Sequence, residues 1–202
     1  MRTATALTRV RSARRRATTG TTITKNSRPA AIRRAQTPLV RAATPADAHA
    51  IHALITAHIR EGHLLPRSLD DIEANASRFI VAVDRDRVVA CADLAPLSAL
   101  VAEVRSLVVD ESARAKGLGQ QIVNELARRA RVAGFDSLCA FTHSAGYFVR
   151  MGFSIVPHPW IPEKIEVDCR TCPLFRQCGQ YAVTLPLEHG VESFVPLASL
   201  HG

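Results

Sequence analysis

Aromatic side chains are scarce in this chain: Phe, Tyr and Trp make up 5% of its 202 residues. Acidic residues are missing altogether from residues 1–46, which hold 11 Arg or Lys. No apolar run approaches the roughly 20 residues that span a bilayer, so a soluble protein with no membrane partner is expected. The five cysteines are an odd number and no secretory signal is evident, which points to a reducing compartment, the cytoplasm, over a disulfide framework.

The formal charge of +8 invites a nucleic-acid reading, but its distribution opposes one. Beyond residue 46, 15 basic residues face 18 acidic ones, a balance of −3. The basic excess therefore belongs to a tail, residues 1–38, rich in Arg, Thr, Ala and Ser and too poor in large apolar groups to fold alone. Being Arg-rich and acid-free, it fits an organelle transit peptide, which would place the protein in an organelle matrix. A plain disordered arm, or an upstream start in an arginine-rich coding region, fits the same composition. An arm that grips nucleic acid fits less well, because no aromatic residues accompany its charges. Residues 39–187 read as one domain, and 188–202 as a loose tail.

Within that domain the hydrophobic period switches between two and 3.6. Leu39–Arg41 is expected as a first strand, followed by a helix start at Thr44-Pro45, a cap residue before a proline. Ile51, Leu54, Ile55 and Ile59 recur at helical spacing, and Ser68 caps a second helix from about Leu69 to Ala76. Phe79–Val83 and Val88–Leu94 form a hairpin around the polar turn Asp84–Arg87. Ala102–Val109 is the next strand, leading through a glycine-bearing turn into an amphipathic helix from Leu118 to Ala133 that Gly134 ends. Ser137–Phe141 is a strand, Ser144–Met151 a short helix and Phe153–Val156 a strand. A Pro- and Cys-containing excursion, 157–180, precedes a last strand, Tyr181–Leu187. The order β-αα-βββ-α-β-α-β-β predicts an α/β fold with one mixed sheet flanked by helices.

Arg114-Ala115-Lys116-Gly117-Leu118-Gly119, with Gln120 following, is the most informative stretch. Glycine at alternate positions lets backbone N–H groups wrap a phosphate without interference from Cβ atoms. At a helix start those groups meet the positive end of the helix dipole, where a pyrophosphate can sit. A glycine turn alone serves many chains merely to turn, so its surroundings decide. Here they include Tyr147-Phe148-Val149-Arg150-Met151-Gly152-Phe153, an aromatic-bearing helix that ends in a Gly-Phe pair before a strand.

These two signatures, in this order and at this separation, resemble the GNAT acetyltransferase superfamily over about residues 39–187. Its phosphate loop has the form Arg/Gln-x-x-Gly-x-Gly/Ala, met by Arg114, Gly117 and Gly119. The resemblance implies a mostly antiparallel central sheet, acetyl-coenzyme A as co-substrate, and pantetheine bonded along the backbone of Leu107, Val108 and Val109. Within the superfamily the chain is similar to the short, kinase-domain-free N-acetylglutamate synthases. The matching segments are Gly62-His-Leu-Leu-Pro-Arg67-Ser68, Glu103-Val-Arg105-Ser-Leu107, Pro162-Glu-Lys164, and Asp168-Cys169-x-x-Cys172-Pro173 with Cys178 beyond. That family transfers acetyl to the amine of glutamate, the first step of arginine synthesis. A GNAT enzyme with another small-molecule or protein amine as acceptor is the rival reading. A module that binds coenzyme A or metal without catalysis is a third, opposed by Gly117, Gly119 and Glu103.

An amine attacks a thioester only as the free base, so a proton must be removed first. Glu103, early on the strand before the phosphate loop, is the expected base; an ion pair with Arg105 is the other reading of the same residue. Many GNAT members protonate the leaving thiolate with a Tyr four residues before the Gly of the Gly-Phe pair. Here that position is Phe148, and Tyr147 is rotated from it by about 100° of helix, which weakens a tyrosine acid. His143, and a hydrogen bond alone to the acidic coenzyme A thiol, are the other readings beside Tyr147. Glutamate brings two carboxylates, so its pocket needs cations. Arg105, Lys164 and Arg67 are the candidate set, each with an ordinary salt-bridge reading beside it.

Cys169, Cys172 and Cys178 form a dense cluster whose spacing suits zinc, with His158 or another residue needed to complete four ligands. A reduced cluster or a redox-labile pair fits equally. Cys91 and Cys139 read as buried strand residues. Homodimer formation is left open.

Overall fold

The computed structural model describes residues 37–59 and 64–187. The expected tails lie outside the described residues, apart from Thr37 and Pro38.

Seven strands, β1 (Leu39–Ala42), β2 (Phe79–Asp84), β3 (Arg87–Pro96), β4 (Val101–Val109), β5 (Ser137–Thr142), β6 (Ser154–Val156) and β7 (Tyr181–Pro186), form one sheet in the order β1-β2-β3-β4-β5-β7-β6. Every pairing is antiparallel except β4 with β5. This is the mixed, mostly antiparallel sheet the sequence leads one to expect. β2 and β3 are joined by a two-residue turn in which Arg85 and Asp86 both have positive φ, the twist that suits a tight hairpin.

Helices cover both faces. On one, α3 (Leu118–Val132) lays Leu118, Ile122, Val123, Leu126 and Ala130 against Ile80, Ala82, Val89, Leu138 and Val183. On the other, α1 (Ala48–His58) and α2 (Leu69–Ala74) bring Ile51, Leu54, Ile55 and Ile72 onto Phe79, Val81 and Cys91. Alternate residues of β2 thus feed opposite cores, which is why that strand reads as an unbroken apolar run. Each fully buried Ile or Leu contributes about 1.5–3 kcal/mol on leaving water.

The helix starts obey local chemistry. The Thr44 N–H and hydroxyl both donate to Asp47, which also receives two bonds from Arg41 at 2.8 Å. Arg41 above all holds the Asp47 carboxyl well below the usual carboxylate range. The first turn there, Pro45–Asp47, is 3₁₀ and continues directly into α1. Ser68 Oγ accepts the N–H of Asp71 and caps α2.

The Pro- and Cys-containing excursion 157–180 includes a helix of its own, α5 (Pro162–Val167), after a short α4 (Ala145–Val149) and β6. α5 has proline at its first position but buries none of its own residues, so it lacks the apolar stripe by which helices are usually read. No helix among the described residues is long and apolar enough to cross a membrane.

Candidate active site

β4 and β5 pair only from Val101–Glu103 to Ser137–Cys139 and then part. Beyond that seam β4 continues against β3, while β5 stays with β7. A cleft of about 1520 Å³ opens between them, floored by residues 103–109 of β4 and walled by the start of α3, by Phe141 to Phe148 and by α5. β4 is bulged where it lines the cleft. Ser106 and Leu107 oppose the single residue Ala92, and Ser106 takes φ +51°, a conformation a serine seldom adopts. The Val104–Val109 edge therefore faces the cleft without a neighbouring strand, where an extended ligand can lie as an added strand. Leu107, Val108 and Val109 are on it, as the resemblance implies.

The phosphate loop closes one end. Ala115 and Gly117 both have positive φ, and Gly117 caps α3. The Gln121 N–H turns back to the Gly117 carbonyl at 3.0 Å, while the N–H groups of Leu118, Gly119 and Gln120 lie in the first turn, where no intrahelical acceptor exists. Arg114 Nε donates to the Val109 carbonyl at 3.1 Å and ties the loop to β4. The two glycines do different work. Gly117 supplies the left-handed turn, whereas Gly119 is buried and supplies room: a methyl there would collide with the Tyr147 hydroxyl and stand 3.5 Å from Val109 Cγ2.

At the other end lie four charges. Glu103, nearly inaccessible on β4, accepts from Lys164 Nζ at 2.7 and 2.8 Å and from Arg105 Nε at 2.5 Å. Arg105 Nη2 and Lys164 Nζ both also meet Asp168, the latter at 2.8 Å. Lys164 further sits over the Phe141 ring, 5.1 Å from its centre. Burial works to lower the Arg105 pKa, but Glu103 and Asp168 outweigh it and the guanidinium is held charged. The structure thus brings Glu103, Arg105 and Lys164 together, 61 residues apart in sequence though Glu103 and Lys164 are. It realises the Glu103–Arg105 pair and adds Lys164 to it.

Arg67 also lines the cleft, on the side of α2. Its guanidinium meets Asp71, reaches Asp93 Oδ2 at 3.3 Å and Ser106 Oγ at 3.4 Å, and lies over the Phe79 ring. Asp93 is wholly buried and also takes two bonds from Arg78, at 2.8 and 3.0 Å. The Arg67 fork braces α2 and the β4 bulge, the salt-bridge reading of this residue, while it remains on the cleft wall.

Phe148 is buried against Phe153, so the position at which many GNAT members carry the tyrosine offers the cleft a phenyl ring and no hydroxyl. Tyr147 is half-buried and lines the cleft, but its hydroxyl lies at the phosphate-loop end, beside Gly119. Burial raises its pKa against the opposing Arg150, keeping the phenol protonated and a donor. Service as the acid for the thiolate therefore requires the sulfur to come to that end of the cleft.

Cys91 and Cys139 are buried, and burial pushes the Cys91 thiol up to about 12 and Cys139 higher still. Among the described residues no three His, Cys, Asp or Glu groups are arranged to hold a metal, so the zinc reading of Cys169, Cys172 and Cys178 is not supported. Cys169 is a neutral thiol, its pKa raised by burial. His158 stacks on Phe141 and does not complete a metal set. Sequence reasoning does not single out Asp93 or Phe141, and it assigns Asp168 no role. For Asp93 a signal existed: a lone carboxylate inside an apolar strand must be paired.

A sheet that splits to expose one strand's edge, with open N–H groups at the end of the split, defines a fold that seats an extended, phosphate-bearing carrier. The model of the Acetyltransferase (GNAT) family matches residues 48–153, and the chain belongs to that family; it is an acyltransferase. An uncharacterized N-acetyltransferase of Chlorobaculum tepidum is 33% identical over 148 residues, 73% of this chain and 96% of that one. An amino-acid acetyltransferase of Mycobacterium tuberculosis is 30% identical over 138 residues, 66% of this chain and 79% of its own. Two structures of the Neisseria gonorrhoeae N-acetylglutamate synthase share the fold. The one with coenzyme A and N-acetyl-glutamate has a TM-score of 0.68 at 24% identity, covering 76% of this chain and 36% of that one. The one with coenzyme A and L-arginine has 0.62 at 25%, covering 75% and 34%. This chain therefore spans about a third of that synthase's length.

Proposed function

We propose that the chain transfers the acetyl group of acetyl-coenzyme A to the α-amine of L-glutamate by direct attack in a ternary complex, the first step of arginine synthesis. The observation that carries this reading is one cleft with open N–H groups at one end and the Arg105–Lys164 pair at the other. The named relatives support it. In this account the amides of residues 115–120 hold the pyrophosphate, with Arg114 and Lys116 adding charge and the Tyr147 hydroxyl a hydrogen bond. The free edge at Leu107–Val109 binds the pantetheine arm, which aims the thioester down the cleft towards Glu103. Arg105 and Lys164 take the acceptor's carboxylates, setting its ammonium beside Glu103. Glu103 accepts one ammonium proton and the amine attacks the thioester carbonyl. As the tetrahedral intermediate collapses, the C–S bond breaks and the leaving sulfur takes up the second nitrogen proton, with no dedicated acid.

Thiol release from acetyl-coenzyme A, measured across the amino acids, tests the acceptor. Glutamate is expected to exceed glutamine and aspartate by about tenfold or more in kcat/KM, since each leaves a buried polar group unpaired. Equal rates, or turnover only with another amine, would replace glutamate with that acceptor. Glu103→Gln is expected to lower kcat by about a hundredfold or more. An unchanged kcat with a raised KM would reduce Glu103 to an anchor for Arg105 and Lys164.

A further inference from the structure

The four charges at the inner end of the cleft cancel: Glu103 and Asp168 against Arg105 and Lys164. A pocket of zero net charge is poorly matched to an acceptor that carries two carboxylates and one ammonium. One of the two internal carboxylates has to yield, and the structure distinguishes them. The Glu103 side chain is 4% exposed on a central strand, whereas that of Asp168 is 34% exposed. Asp168 follows α5, which buries none of its own residues, and Ile161 just before that helix is its buried anchor. Withdrawing Asp168 into water costs less than withdrawing Glu103, because its carboxylate is already a third exposed and both cations keep Glu103 as partner. Withdrawing Glu103 would strand two cations in a buried site.

We infer that Asp168 is the specificity-determining residue of the acceptor pocket: its carboxylate occupies the place of the acceptor's carboxylate on Arg105 and Lys164 and is exchanged for it on binding. With Asp168 displaced, Glu103, Arg105 and Lys164 sum to +1, which matches the net −1 of glutamate. The exchange of one carboxylate for another keeps both cations paired throughout, so neither is ever left bare in the closed cleft. It also selects: an amine without a carboxylate has nothing to offer Arg105 in place of Asp168. The inference rests on the proposed acceptor, yet its core, that a free carboxylate competes with Asp168, is testable without turnover.

The test uses the full chain with coenzyme A bound, in wild type, Asp168→Asn and, as a control for bulk charge, Glu166→Gln, an exposed acid on the same helix. Glutarate, a dicarboxylate with no amine, is titrated by calorimetry, and glutamate kinetics are run in parallel. The apparent affinity is the intrinsic one reduced by the fraction of molecules with the site open, so Asp168→Asn is expected to tighten glutarate about fivefold. The same factor is expected as a fall in the glutamate KM, with kcat and the acetyl-coenzyme A KM unmoved and Glu166→Gln inert. Weaker or equal glutarate binding in Asp168→Asn would overturn the inference and make Asp168 a support for the pocket, as would an equal gain in Glu166→Gln. Absence of glutamate turnover in wild type would instead overturn the proposed acceptor, and the glutarate result would still decide the exchange.

Discussion

Gly119→Val is expected to weaken coenzyme A binding by about a hundredfold or more, read by calorimetry on the purified chain. The loop holds its ligand through amides of the first turn of α3, and charge-assisted hydrogen bonds contribute about 1.5–3 kcal/mol each, so losing even two amounts to that factor. Valine at 119 places branched carbons where the Tyr147 hydroxyl now lies, with Tyr147 Cζ at 3.4 Å and Val109 Cγ2 at 3.5 Å from the first added carbon. Val109 is fixed in β4, so the strain falls on Tyr147 and on the helix start itself. Overpacking of this kind costs about 1–3 kcal/mol of stability as well. A Gly119→Ala variant combined with Tyr147→Ala has the room restored and is expected to recover most of the folding loss. Wild-type affinity in Gly119→Val would mean that the amides of this turn do not grip the carrier.

The second large effect is on the fold. Asp93→Ala is expected to destabilise the domain by about 3–5 kcal/mol, the cost of leaving buried cations without their counter-charge. Asp93 is inaccessible and joins Arg78, after α2, to Arg67, before it. Removing it leaves Arg67 with Asp71 and Arg78 with the Asn75 side chain, and severs the tie of both arginines to β3. Urea unfolding reads the loss directly; for a domain of this size each kcal/mol lowers Tm by about 2–4 °C. Asp93→Asn keeps the shape and one acceptor and is expected to fall between the two. A loss below about 1 kcal/mol would show the pair to be replaceable by solvent.

The framework of the fold is legible because its elements carry strong periodic signals. α3 has an apolar stripe from Leu118 to Ala130, β2 is apolar from Phe79 to Val83, and β3 is apolar but for Asp93 between Val88 and Ala95. The phosphate loop lies between a strand and a helix where both are plain. α5 is not legible, since none of its own residues is fully buried and it is held by Ile161 just before it and by the Lys164 contacts with Glu103 and Phe141. The site divides the same way. The backbone groups that face the cleft follow from the loop and the strand, so their positions could be anticipated. The side chains depend on contacts made across the sheet. Arg67 and Arg105 look alike in the sequence and both line the cleft, yet Arg67 pairs with Asp71 and Asp93 while Arg105 joins Glu103, Lys164 and Asp168. Tyr147 and Phe148 are adjacent, and one helical step sends the phenylalanine into the core and the tyrosine to the loop.

The early parting of β4 from β5 has a cost that most sheets incur only at their rims. Past Glu103 the molecule keeps, in its own interior, a row of backbone donors and acceptors of the kind that invites foreign chains to pair and aggregate. Here the walls from α3 and α5 admit a slender thread and exclude a sheet, so the stickiness that elsewhere must be blunted is retained for one guest.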